Sequence, residues 1–137
     1  MSDTIFFHSQ QQELMPVNAK FDNISNLSRY QDNSIGKIIV QDLFDYLLVE
    51  DIHNLLPVIY KKLRPLGSLE IQSVDLKQLS LGVAFNDIRI SLAQYLLYPH
   101  KKSIHTLPEL IGMLGSFVID SKKYVNIFEY YILATKA

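Results

Sequence analysis

Cysteine is absent from the 137 residues. That excludes a disulfide framework, an iron–sulfur cluster and thiolate-bound zinc. Glycine and proline number five each, too few for a collagen-like or low-complexity chain, and the 48% hydrophobic share is too high for a disordered one. No apolar run approaches the ~18 residues of a membrane span. Neither charge dominates: thirteen Lys and Arg face fourteen Asp and Glu, a net charge of −1. This balance speaks against an electrostatic nucleic-acid binder. The start, MSDTIFFHSQQQ, carries Asp3 early and turns polar after Phe7, unlike a secretory signal. The expectation is a soluble, cytoplasmic protein forming one domain over residues 1–137. At this length roughly 68% of the unfolded surface can be hidden, enough for a core without staples.

What is present alternates between strand and helix patterns. Thr4–His8 (TIFFH) and Lys37–Gln41 (KIIVQ) read as short strands, the second apolar on both faces like an interior parallel strand. Asn18–Ser34 is polar and reads as turns around one short element. Val49, Ile52, Leu55, Leu56, Ile59, Tyr60 and Leu63 make a helical stripe. Pro57 lies inside it. A helix starting at Glu50 would be kinked there, whereas an N-cap at Asn54 places the proline harmlessly in the first turn, which is the expectation. Ser68–Val74 reads as a strand and Asn86–Tyr98 as a helix with Ile88, Leu92, Tyr95 and Leu96 inward. Thr106 to Glu109 spells a capping box for a short helix that Gly115 is placed to end in a left-handed cap. Phe117–Asp120 and Val125–Ala134 then read as an antiparallel hairpin turning at Ser121–Lys123. The sum is an α/β fold with a mainly parallel sheet of five or six strands and an antiparallel C-terminal hairpin.

Few residues point to chemistry. Asp42 and Asp45 follow the carboxyl end of a strand, where open α/β sheets place ligands, and suit a substrate amine or hydroxyl. The plainer reading has one capping the next turn and the other solvated. His8 ends the first strand and faces the same region. His100 and His105 are five apart, but no third ligand has suitable spacing and Lys101 and Lys102 are poor neighbours for a cation, so no metal is expected. The basic pairs Lys61–Lys62, Lys101–Lys102 and Lys122–Lys123 read as solvated element ends. Tyr95, Tyr98, Tyr124, Tyr130 and Tyr131 enrich the C-terminal part and read as packing residues, with an interface as the alternative.

Several stretches, in order, resemble the second half of a class I S-adenosylmethionine-dependent methyltransferase. Leu27–Ser34 (LSRYQDNS) is similar to the family's L-P-x-x-x-D-N-S loop. Lys37–Leu47 (KIIVQDLFDYL) is similar to its strand ending in H-x-L-E-H, with Asp42, Phe44, Asp45 and Tyr46 at those four positions. Leu63–Ile71 (LRPLGSLEI) resembles L-K-P-G-G-x-L-x-I, Leu66 standing for the first glycine and Gly67 for the second. Ser103–Ile119 resembles the late helix and its G-F turn. The resemblance covers about residues 20–137 and implies a truncated Rossmann-like methyltransferase fold with S-adenosylmethionine as the family cofactor. By that resemblance the cofactor-binding candidates are His8, Ser9, Gln10, Asn23 and Gln41. Asn23, or Asp22 beside it, stands near the adenine-side acid, and Glu13 is the one candidate for the ribose carboxylate.

The departures lie at the start. The family's first strand runs into G-x-G-x-G, where glycine lets the backbone approach the cofactor. Here TIFFH runs into Ser9-Gln10-Gln11-Gln12-Glu13, and no glycine precedes Gly36. The fourteen residues between His8 and Asn23 cannot hold the usual helix, strand and helix. The expectation is therefore a methyltransferase-like protein that has lost S-adenosylmethionine binding and acts in interaction or assembly, as a homo-oligomer or on a protein partner. The sheet face left uncovered by the missing helices would supply the interface. The alternative is an active small methyltransferase.

Overall fold

The computed structural model describes residues 4–8, 20–97 and 103–137, with backbone alone at 8, 20, 21 and 95–97. Six strands form one sheet in the order β2-β1-β3-β4-β6-β5. They are β1 (Thr4–His8), β2 (Lys20–Asn23), β3 (Ile35–Gln41), β4 (Leu63–Val74), β5 (Phe117–Tyr124) and β6 (Glu129–Lys136). β1 to β4 are mutually parallel where they pair, and β6 runs antiparallel between β4 and β5. Four helices join them: α1 (Val49–Lys62), α2 (Leu76–Ala84), α3 (Ile90–Leu97) and α4 (Leu107–Met113). Short 3-10 turns occupy Ile24–Arg29 and Leu43–Tyr46. No helix among the described residues is long and apolar enough to cross a membrane.

One face of the sheet carries the main core. Ile38, Val40, Leu69, Ile71, Ile132 and Ala134 are fully buried there against Ile52, Leu56 and Ile59 of α1 and Leu107, Leu110 and Leu114. The opposite positions alternate to half-buried polar side chains. Lys37 pairs with Glu70 at 3.1 Å, and the Tyr131 hydroxyl donates to the same carboxylate. Ile39 and Leu133, the two apolar side chains of this face on β3 and β6, are half-buried and flank Glu70 in register, so the second face mixes polar and apolar groups. A second cluster, Val74, Leu79, Ile88 and Ala93, seats α2 and α3 beyond the end of β4.

Five local expectations are corrected. α1 begins at Val49, not after Asn54, and Pro57 sits inside it. His53, whose carbonyl loses its donor, and Pro57 both lie on the exposed side, so water serves that carbonyl while the buried stripe holds the helix together. The acids Glu50 and Asp51 at its start and Lys61 and Lys62 at its end match the helix dipole. β4 begins at Leu63, five residues earlier than expected. The helix expected at Asn86–Tyr98 is α3 alone, preceded by α2. Asn86 takes a left-handed conformation between them, and Leu92 is exposed rather than inward. Gly115 adopts no positive φ, and α4 ends through Leu114. The hairpin turns at residues 125–128, not 121–123. The Asn126 side chain accepts the amides of Phe128 and Glu129 at 3.0 and 2.9 Å, an Asx turn of the kind short polar side chains build. Lys122 and Lys123 lie instead within the edge strand β5, where charge discourages pairing with another sheet. The capping box at Thr106 and Glu109 forms as expected.

Two features hold the helical end in place. Asp75 is fully buried and caps two helices at once: its Oδ1 accepts the Gln78 amide of α2 at 2.9 Å, and its Oδ2 accepts the Leu107 amide of α4 at 2.8 Å. Beside it, buried His105 lies 3.0 Å through Nε2 from Ser103 Oγ, which itself donates to the Leu47 carbonyl at 2.6 Å. Burial holds the His105 imidazole below its ordinary range. The nearby His53 adds to this, and the Glu109 carboxylate opposes it.

At the entry to β4, residues 64–67 bulge from the ladder, because Ile35 pairs with Leu63 and Lys37 already with Ser68. Leu66 adopts φ 64 there and is exposed. A Cβ on Gly67 would lie 2.8 Å from the Arg64 carbonyl and 3.1 Å from those of Ile35 and Gly36.

Three stability outcomes follow. Gly67→Ala pushes a methyl into rigid backbone and lowers stability by about 1–3 kcal/mol. Leu66→Gly relieves about 1–2 kcal/mol of left-handed strain against about 0.5–1 kcal/mol of added chain entropy, a net gain near 0.5 kcal/mol; urea titration reads both. Asp75→Ala uncaps two buried amides and costs about 2–4 kcal/mol, and equal melting of the variant and the parent would contradict the double cap. A further outcome concerns pH. His105 is harder to protonate folded than unfolded, so the unfolded state gains its proton first as pH falls through about 6.5 and stability drops below that point. His105→Gln flattens that part of the stability–pH curve; an unchanged slope would remove His105 as its source.

Candidate functional site

In a doubly wound sheet the crevice lies where strand order reverses, outside the carboxyl ends of the strands. Here the chain passes from β1 outward to β2, then returns to β3 on the other side of β1 and continues to β4. The reversal falls between β1 and β3. His8, Asn23 and Gln41 all end strands there, and register places His8 beside Asn23 and Phe7 beside Asp22. The backbone thus brings His8, Asn23 and Gln41 to one rim. Ser9, Gln10 and Glu13 lie outside the described residues, as does the His8 side chain.

Chemistry at the rim is already engaged. Asp22 Oδ1 accepts the Asn23 amide at 2.8 Å and Asn26 Nδ2 at 2.7 Å, while Oδ2 accepts the Tyr30 hydroxyl at 2.5 Å. Burial, together with this carboxylate, pushes the Tyr30 phenol up to about 12. Asn23 caps the turn Ile24–Arg29, its Oδ1 accepting the Ser25 amide at 2.9 Å. These side chains order the loop that follows β2. Gln41 lies on the second face, where it lines a shallow 180 Å³ cleft with Ile39, Glu70, Gln72 and Tyr131.

Asp42 and Asp45 depart from both of their sequence readings. Asp42 leaves β3 in a left-handed conformation, φ 57, with its amide donating to the Gln72 carbonyl at 2.7 Å, and its side chain makes no cap to the following turn. Asp45 is 1% exposed, not solvated. Together with Asp75 they surround the buried Tyr130 phenol. Burial raises the Tyr130 pKa most; Asp45, Asp75 and Asp42 add to it in that order, and a hydrogen bond with Ser73 opposes them. Tyr130 therefore stays neutral, a donor to its surroundings and no general base. Sequence reading counted it among packing tyrosines. Its partners come from β3's exit, β4 and the start of β6, so no local spacing marks it. No group of three metal-ligating side chains forms among the described residues. A larger groove of about 450 Å³ lies elsewhere, between α1 and the end of α4, lined by Leu56, Tyr60, Met113 and Phe117.

No family model matches the sequence, and no curated protein matches it. Solved structures do. A Methanosarcina mazei S-adenosylmethionine-dependent methyltransferase is 18% identical with a TM-score of 0.62, over 93% of this chain and 72% of that one. A Pyrococcus horikoshii protein gives 13% and 0.66, over 88% of this chain and 60% of that one. Human N-acetylserotonin methyltransferase, solved in complex with S-adenosylmethionine, gives 14% and 0.60, over 98% and 40%. The chain thus spans from two fifths to under three quarters of these neighbours' lengths. Its fold is the Rossmann-like fold of class I S-adenosylmethionine-dependent methyltransferases, in a shortened form.

Proposed function

We propose that this methyltransferase-fold chain no longer uses its strand-exit crevice for S-adenosylmethionine and acts by association with protein. The observation that carries this reading is the state of Asp22. The resemblance places it near the adenine side, but β2 pairs directly with β1, and at the end of that strand a dinucleotide-type fold keeps the carboxylate for ribose hydroxyls. A carboxylate offers about four acceptor sites, and three partners within its own loop already use this one. Two ribose hydroxyls would have to displace Tyr30 or Asn26 and unmake the turn. Two further facts support the reading. Only residues 9–19 separate β1 from β2, so the intervening strand and helices have no room. And no glycine precedes Gly36, so every residue of that connection carries a side chain.

The second reading, an active small methyltransferase, is favoured by the neighbours, one of which holds S-adenosylmethionine. Methyl transfer rests on positioning two reactants and needs few acid–base groups. Under that reading Ser9, Gln10, Asn23 and Gln41 would contact the cofactor, and Asp42 or Asp45 would orient the substrate.

Calorimetry with S-adenosylmethionine and S-adenosylhomocysteine separates the two. The expected outcome is no heat and no thermal shift at millimolar ligand. A dissociation constant tighter than about 100 μM, worth ~5.5 kcal/mol, would overturn the non-catalytic reading.

A further inference from the structure

Residues 103–105 cross the carboxyl end of the sheet and join two parts of the molecule. His105 bridges in parallel to Asp75 at the exit of β4, and its carbonyl accepts the Leu76 amide at 3.1 Å. Ile104 packs against the cluster of Val74, Leu79, Ile88 and Ala93. Ser103 reaches the other way. Its amide donates to the Asp45 carbonyl at 3.3 Å and its hydroxyl to the Leu47 carbonyl at 2.6 Å. These carbonyls belong to the turn Leu43–Tyr46 and the residue after it, where the chain leaves β3. One end of the segment is thus seated in a core, and the other is fastened to that turn through Ser103.

The fastening depends on the His105 imidazole. A serine hydroxyl carries one proton, and at 2.6 Å from a carbonyl it donates it there. Its oxygen therefore accepts from His105 Nε2, 3.0 Å away. This assigns the neutral ring its proton on Nε2 and leaves Nδ1 to take a second one. The ring is 3% exposed. Among the described residues, charged groups stand around it on every packed element, and none suits an imidazolium. His53 of α1 repels it. Glu109 of α4 attracts it, yet its Oε1 is turned to the Thr106 amide and hydroxyl, at 3.1 and 3.0 Å. Both oxygens of Asp75 hold amides, of Gln78 and Leu107. Asp45 offers its carbonyl to Ser103, and its carboxylate lies beside Tyr130. A charged ring is better served by water than by this site.

We propose that Ser103–His105 is an acid-released clasp: when His105 takes a second proton its ring leaves the site, Ser103 lets go of the turn Leu43–Tyr46, and that turn opens to water at the exit of β3. Ile104 and the Leu76 amide keep the segment attached to the helical end throughout. The device is independent of whether the crevice binds S-adenosylmethionine. Its sign is fixed by the neutral closed ring. Each pH unit below about 6.5 favours the open, protonated form about tenfold.

Amide hydrogen exchange of the full chain, read residue by residue by NMR at about pH 7.5 and 5.5 and corrected for intrinsic rates, tests this. The lower pH leaves ordinary carboxylates ionised. Protection of the Ser103 and Leu47 amides is expected to fall about tenfold, and low urea is expected to leave their exchange unchanged, the mark of a local opening. Leu76 and Leu110 are expected to exchange at least about tenfold more slowly and with a full urea dependence. His105→Gln, whose side-chain amide still donates to Ser103, is expected to keep the clasp closed at both pH values. Ser103→Ala uncouples the turn from the ring, so the Leu47 amide loses its pH dependence. Equal protection of Ser103 and Leu47 at the two pH values overturns the proposal. So does exchange at the rate and urea dependence of Leu76 and Leu110, which is global unfolding alone. A pH dependence that survives in either variant overturns it as well.

Discussion

Two helices begin on a single carboxylate. Asp75 ends β4, accepts the third-residue amide of α2 and reaches across to the first amide of α4. Its own amide donates to the Phe128 carbonyl at 2.7 Å, and the Leu76 amide to that of His105 at 3.1 Å. One buried side chain thus ties the sheet, both helices and the turn before β6. The positive ends of two helix dipoles meet there. The Tyr130 phenol and the Asp45 carboxylate lie alongside. The region where open sheets place their chemistry is here occupied by interactions that hold the fold.

The same economy appears at the other rim. Asp22 stands where a nucleotide-binding sheet keeps a carboxylate for its ligand, yet it orders the turn Ile24–Arg29 through Asn26 and Tyr30. The Tyr30 ring in turn packs edge-on to Phe7 of β1, centroids 5.6 Å apart. Residues 9–19, which connect β1 and β2, are too few for a helix, a strand and a second helix. A side chain committed to holding the edge together is poorly placed to exchange its partners for a ligand.

Much of this was legible in the residues because it is local. Apolar runs such as KIIVQ, the capping box at Thr106 and the alternation in LEIQSV each report a structure decided within a few residues, and their order carried the fold. What escaped was decided at a distance. Asp75 lies just past the strand read at Ser68–Val74 and carries no local signal, because its role as a cap for α2 and α4 depends on residues 32 positions apart. Pro57 reads as a helix breaker, but burial of Ile52, Leu56 and Ile59 outweighs one lost hydrogen bond on the solvent side. The polar turn signal at Ser121–Lys123 belongs to an edge strand, whose outward side tolerates charge, while Asn126 alone sets the turn. Tyr130 and Asp45 meet only because β6 inserts next to β4.

The distribution of apolar surface also has a direction. On the second face of the sheet Lys37, Gln41, Glu70, Gln72 and Tyr131 surround the half-buried Ile39 and Leu133. At the exit of β4 Ile88 is buried at the expense of a glycine, while Phe85 three residues earlier is left outside. Burying one large apolar side chain is worth about 1.5–3 kcal/mol. The turn beyond β4 thus closes on Ile88 and leaves Phe85 in water, where a glycine at position 82 makes room for the one and not for the other.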